Sequence, residues 1–429
     1  MALAGQSSQA GASERKSGSG AFGSWLDSLP SEAKYYLIEG FALVFLINLP
    51  LYLYLTGIWG VRPQLLFLFS LVFLPFARIP LHSTFALLPF AGWNMLFLLT
   101  ITASAFLTYD SNGAVPGTLR YLGGTVVSFL ALAIGAALPA RRLLRTVCIA
   151  TTVTSLICIL DLIFPFVLPK NDGEFLLFGR AAGLYIQANG AGMAISLGFL
   201  MSHSVVGKRW FYLFFFICIA GLLATVSRGA LLSFLPTLFF VKFPRVQVST
   251  VVKLTIAIIL LAGVAMASYD NLFEFQDSAD LWLRLLGGRS LGIEGEIVDQ
   301  AALDRIAAAA KAWDVFSDSP WLGAGVGHTR SWDLADAPHN MYLVFAAEFG
   351  GIVGLSLLTL YFISVYFSIA DPSLKYNARL VLQFLALFFF FTHNHFDDYV
   401  ALLIVGALVG TSLRFAGHSK IEHTFPERG

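Results

Sequence analysis

Four residues of this sequence combine a useful chemistry with a useful place: Arg180, Arg228, Arg305 and His339. The planar guanidinium of arginine stays charged and forks onto two oxygens at once, which suits phosphate groups. Histidine, with a reference pKa of about 6.5, takes up a proton at neutral pH. Together they could hold a phosphate group and accept a proton beside it. Arg180 lies in FGRAAGLYIQANGAG, Arg228 in SRGALL, Arg305 in DRIAAAAKAWDVFS and His339 in PHNMYLVFAAEFGG. Taken singly, each has a plainer reading. An interfacial arginine is more often an anchor than a ligand, and a histidine opening a helix more often caps or packs. Their shared placement at one membrane face is what favours chemistry.

The elements that must position them are membrane helices. Of 429 residues, 57% are hydrophobic and 12% charged, with 40 phenylalanines and a mean hydropathy of +0.75; an ordinary soluble domain carries about 25% charged residues. Apolar segments of about 20 residues recur along nearly the whole chain, as in a helical bundle. The residue-by-residue alternation of a membrane barrel is missing. A net charge of +1 with no long basic run gives no reason to expect a nucleic-acid partner. Cys148, Cys158 and Cys218 all fall in apolar segments, so no disulfide framework is expected.

The expected architecture is an all-α polytopic membrane protein of about 12 transmembrane helices. Residues 1–36 form a Gly- and Ser-rich cytoplasmic tail, 37–268 hold nine spans, 339–416 hold three, and 417–429 form a second cytoplasmic tail. The spans are read near 37–57, 63–80, 83–108, 118–138, 143–168, 183–204, 209–226, 229–243, 250–268, 340–368, 377–394 and 398–416. With the N-terminus inside, most Lys and Arg fall on inner segments, including Arg141, Arg142, Arg145, Lys208 and Arg209. The long segment 269–338 is then external. Within it, 299–317 reads as a helix capped by Asp299. Asp304, Lys311, Asp314 and Asp318 share one face of that helix, and Ile306, Ala310 and Trp313 another. Arg305 falls among Ala301, Ala308, Ala309 and Ala312, small neighbours that leave its guanidinium approachable by a bulky ligand; the competing reading is an arginine snorkelling to the membrane surface.

SRGALL, then DRIAAAAKAWDVFSDSPWLGAGVG, then PHNMYLVFAAEFGGIVG, in that order around one large external loop, resembles the O-antigen ligase and O-antigen polymerase superfamily. GRAAGLYIQANGAG resembles its R-x-x-G … N segment. The motifs cover roughly residues 180–365, and the five spans before them carry none. The resemblance implies a GT-C-like membrane glycosyltransferase with one large helical periplasmic loop, working without metal or other cofactor in the bacterial inner membrane. It implies a donor glycan on undecaprenyl diphosphate at the outer leaflet, with lipid A–core or a second glycan as acceptor. Carried over by motif, Arg180, Arg228 and Arg305 would hold the diphosphate and His339 would be the base; Asn340 and Glu348 would help position the site. Ligase, polymerase and transfer to a protein hydroxyl share this donor chemistry, and the PHN and SRG features favour the ligase.

Other polar clusters offer different readings. HNHFDDY holds His393, His395, Asp397 and Asp398 at an outer turn, but its spacing matches no standard zinc pattern, so a structural or acceptor-binding turn is expected. PWLGAGVG lacks the lysine of a phosphate loop and is expected to be a tight external turn open to glycan. Glu39, Asp161, His203 and Glu348 lie within expected spans, where acids often mark ion paths. They support a rival reading, a transporter of lipid-linked sugars. A transporter should show an internal repeat and midplane function, whereas the external loop here has no counterpart in the other half.

Overall fold

The computed structural model describes residues 30–76, 84–107, 111–164, 167–168, 180–185, 187–242, 300–332, 338–392, 395–396 and 398–422. Among these, all regular structure is helical. The helices are α1 (Ser31–Leu46), α2 (Leu49–Leu55), α3 (Pro63–Phe67), α4 (Thr84–Leu107), α5 (Ser111–Ala137), α6 (Ala140–Ile163), α7 (Ala188–Ser202) and α8 (Lys208–Thr225). They continue with α9 (Arg228–Lys242), α10 (Gln300–Asp318), the single turn α11 (His328–Ser331), α12 (Met341–Phe349), α13 (Gly351–Ser368), α14 (Pro372–Phe388) and α15 (Tyr399–Glu422).

Five helices among the described residues are long and apolar enough to cross a membrane: Phe85–Phe106, Ala114–Ala137, Ala140–Ile163, Lys208–Thr225 and Gly351–Ser368. The pair α1 and α2, bent by 48°, makes a sixth if it counts as one span. The expected span 250–268 lies outside the described residues. Two expected spans take a different form. Over 63–80, Pro63 starts a five-residue helix that tightens into a 3-10 segment, Leu68–Phe76, with Pro75 inside it. Over 340–368, the chain makes two helices instead of one, because Gly350 at φ 81° breaks the α-helical run between α12 and α13.

Small residues set the packing at the centre. On α5 and α15 the backbones touch: a Cβ on Gly135 would meet the Ala407 carbonyl oxygen at 2.0 Å, and one on Gly410 the Leu132 carbonyl oxygen at 2.1 Å. Close approach through small residues is the usual means of helix association in membranes, where lipid is as apolar as leucine. Thr411 Oγ1 adds a 2.8 Å hydrogen bond to the Gly135 carbonyl. Helix α7 is buried along almost its whole length, from Ala191 to Ser202, which explains why 15 residues apolar on every side suffice there. It meets α6 where Gly198 faces Thr151.

The polar residues inside expected spans have local partners. Glu39 pairs with Arg142 at 3.2 Å, with Glu32 on the same guanidinium. His203 reaches the Leu200 carbonyl through Nδ1 at 3.0 Å. Asp161, at the end of α6, accepts from the Ala182 and Gly183 amides, both at 2.9 Å. That carboxylate holds the loop that begins with Arg180.

Candidate functional site

Five of the six residues singled out from the sequence line one cavity of about 390 Å³: Arg180, Arg228, Arg305, His339 and Asn340. They come from four separate elements. Arg180 opens the 180–185 loop, Arg228 is the first residue of α9, Arg305 sits early in α10, and His339 and Asn340 lead into α12.

Arg180 is held from two sides. Its Nε donates to the Thr225 carbonyl at 3.2 Å, and its Nη2 donates to Asn189 Oδ1 at 3.1 Å. The same Asn189 oxygen accepts from Ser227 Oγ at 3.1 Å. Backbone pairing of the Ala181 amide with the Ala224 carbonyl, at 2.9 Å, seats the loop on the α8–α9 turn. That turn is sharp: Val226 takes φ 47°, a left-handed conformation costly for a β-branched residue. Small residues make room for it. A Cβ on Gly192 would strike Ser227, and one on Gly229 would lie 2.4 Å from Phe391 Cβ.

Arg305 and Ala309, one helical turn apart, face the cavity together. Ala308 and Ala312 are fully buried, so the alanine face of α10 is its inward face, while Ile306 and Trp313 are exposed. Asp299, the expected cap, lies outside the described residues. At α12, Asn340 is the N-cap: its Oδ1 accepts from the Tyr342 and Leu343 amides at 3.0 and 3.2 Å. The Met341 amide bonds to the Phe389 carbonyl at 2.8 Å and Tyr342 Oη to the Ala386 carbonyl at 2.8 Å. These bonds fix where His339 enters.

The resulting cavity suits an anion. Three guanidiniums line it, and no Asp or Glu is among its described lining residues. The first turns of α9 and α12 border it, adding the partial positive charge of helix N-termini. Phe388, Phe390, Phe391 and Leu232 supply an apolar wall.

Residues 213–359 match the family model described as O-Antigen ligase. That segment is therefore similar to the O-antigen ligase family. The matched segment contains Arg228, Arg305, His339, Asn340 and Glu348; Arg180 and Asn189 lie before it. No curated protein sequence matches the chain significantly. Among solved structures, the chain is similar to one from work on structural coordination of polymerization and crosslinking by a peptidoglycan synthase complex, at 17% identity. The TM-score is 0.40, with 78% of this chain and 98% of that chain covered.

Within the matched segment, Glu348 stands apart from the cavity. It is fully buried, accepting from Thr329 Oγ1 at 2.6 Å and Tyr121 Oη at 3.1 Å. Glu348 also interacts electrostatically with Arg330, an arginine of the 269–338 segment. Its backbone carbonyl also accepts from the Gly325 amide at 3.0 Å. The PWLGAGVG turn uses its glycines here, with Gly323, Gly325 and Gly327 all at positive φ. A Cβ on Gly323 would lie 2.4 Å from the Glu348 carbonyl carbon, and Gly117 of α5 lies against Gly327. The turn so closes on protein backbone, and none of its residues lines the cavity.

In HNHFDDY, His393, Asn394 and Asp397 lie outside the described residues. His395 is buried, its Nε2 2.8 Å from Tyr361 Oη, and Asp398 caps α15 by accepting from the Val400 and Ala401 amides at 3.0 Å each. Sequence reasoning did not find the aromatic wall, because the run ALFFFFT reads only as more membrane span.

Proposed function

We propose that this protein is a membrane glycosyltransferase of the O-antigen ligase type, moving a glycan from undecaprenyl diphosphate to an acceptor hydroxyl at the periplasmic face of the bacterial inner membrane. The observation that carries the reading is the gathering of Arg180, Arg228, Arg305 and His339 around one cavity with no acidic lining residue among those described. In this reading about 12 spans leave both termini in the cytoplasm and the 269–338 loop outside, with the donor entering sideways from the outer leaflet.

His339 accepts the proton of the acceptor hydroxyl as its oxygen attacks the anomeric carbon. The bond from that carbon to the phosphate oxygen breaks, and its electron pair leaves with the diphosphate. Attack in line with the departing oxygen inverts the anomeric centre. The guanidiniums of Arg180, Arg228 and Arg305 meet the charge that grows on the leaving group, so no metal is required by this scheme. Asn340 fixes the backbone that carries His339 by capping α12. Lipid A–core is the proposed acceptor, with a growing glycan chain as the alternative.

The test is transfer by purified full-length protein in detergent with EDTA, from undecaprenyl diphosphate-linked glycan, with lipid A–core supplied or omitted. Product only with lipid A–core is expected, and lengthened glycan without it would instead make the protein a polymerase. His339→Ala should abolish either product while the protein stays folded; full turnover by that variant would overturn the assignment.

A further inference from the structure

A second cavity, of about 830 Å³, shares no lining residue with the first. It runs between α2, the start of α3 and the N-terminal half of α5, with Tyr399 at its wall. Two arginines line it, Arg62 just before α3 and Arg120 on α5. No Asp or Glu does so among the described residues, and neither arginine forms an ion pair or side-chain hydrogen bond among them. Much of the remaining lining is apolar, and Leu65, Val115 and Leu119 are exposed at 56%, 60% and 61%. Gly123 leaves the groove open: a Cβ there would meet nothing within 4 Å.

An arginine that merely snorkels to a membrane surface needs no cavity beside it. Two on separate elements, lining one groove with apolar walls, match an amphiphile whose charged end is anionic and whose body is hydrocarbon. Guanidinium selects phosphate among such head groups. The groove lies towards the end of α5 that meets the 323–329 turn, since Gly117 packs on Gly327. Hydrogen bonds also link its wall to the 180–185 loop. Tyr399 Oη donates to Asn48 Oδ1, and Asn48 Nδ2 donates to the Leu184 carbonyl at 2.8 Å, in the loop that begins with Arg180.

We propose that this groove binds a phosphate-bearing lipid, its phosphate on Arg62 and Arg120 and its chains along Leu65, Leu119 and the open side of Gly123. The phosphate comes either from a bulk phospholipid or from a phosphorylated acceptor glycolipid, and only the second source rests on the transferase reading.

The experiment is a lipid titration of the full-length protein in detergent, followed by native mass spectrometry. The probes are phosphatidylglycerol, monophosphoryl lipid A and, as the uncharged control, diacylglycerol. Arg62→Gln with Arg120→Gln should weaken the phosphorylated lipids roughly tenfold or more and leave diacylglycerol unchanged. Gly123→Trp, which fills the groove while keeping both charges, should weaken all three. Equal loss of both phosphorylated lipids identifies a bulk phospholipid site, and loss confined to lipid A identifies the acceptor's seat. Unchanged binding in both groove variants, with the proteins eluting as folded monodisperse species, overturns the site whatever the protein is found to transfer.

Discussion

Asn189→Asp is the sharpest test of the anion-binding cavity, because it changes one charge and almost no shape. Asn189 Oδ1 accepts from Arg180 Nη2 and Ser227 Oγ, both at 3.1 Å. An aspartate keeps an oxygen there, so both bonds survive and Arg180 gains a charged partner. Stability should therefore hold or rise slightly. Ligand binding should do the reverse. A carboxylate about 6 Å from a phosphate charge, at an effective dielectric of about 20, repels it by about 3 kcal/mol. Water in an open cavity screens part of this, and halving it leaves about 1.4 kcal/mol, a tenfold loss for each phosphate charge felt. The assay is undecaprenyl diphosphate binding by the purified protein, beside a thermal melt. We expect affinity to fall roughly tenfold to a hundredfold with no loss of melting temperature. Parental affinity in a folded Asn189→Asp variant would refute the reasoning, since a diphosphate seated on Arg180 cannot ignore a new negative charge beside it.

The remaining predictions address single elements of the same construction. Arg305→Lys keeps the charge but loses the fork, so transfer should fall roughly tenfold to a hundredfold at unchanged expression, and parental rates would remove Arg305 from the phosphate contact. Asp161→Ala removes the acceptor of two 2.9 Å amide bonds, each worth about 1.5–3 kcal/mol. Its melting temperature and donor affinity should drop together, and a loss of stability with intact affinity would show that the 180–185 loop holds Arg180 without it. Gly410→Val would drive side-chain atoms into the Leu132 carbonyl, 2.1 Å from an ideal Cβ, and should cost at least about 3 kcal/mol, read as a lower melting temperature in detergent. An unchanged melt would mean that α5 and α15 separate easily.

Composition made the helical class legible, because membrane helices must satisfy their backbones internally and be apolar for long stretches. It was less informative about where helices break. The split of 340–368 depends on one glycine taking φ 81°, and nothing in the hydropathy of AAEFGGIVG marks that turn. The cavity was legible in outline, since Arg180, Arg228, Arg305 and His339 were each expected on the side opposite most Lys and Arg. Glu348 showed the limit. An acid beside a candidate site looks functional in sequence, yet its partners, Tyr121 and Thr329, lie 227 and 19 residues away. Phe391 could not have been assigned to the cavity either, because its role depends on Gly229, on another helix, having no side chain.

Arg180 also indicates what kind of site the fold has been built to hold. A buried or half-buried arginine is most simply oriented by a carboxylate, which satisfies its donors and cancels its charge in one step. Here the hydrogen bonds that aim Arg180 go to the Thr225 carbonyl and the Asn189 amide, both neutral. Neutral acceptors fix a guanidinium's direction without adding a charge that would repel an anion. The same economy governs Asn340, which caps α12 with an amide where the more strongly charged aspartate caps α14 and α15. Aspartate is therefore available to this chain as a cap. At the cavity, where a carboxylate would compete with a phosphate for the three arginines, the amide takes its place.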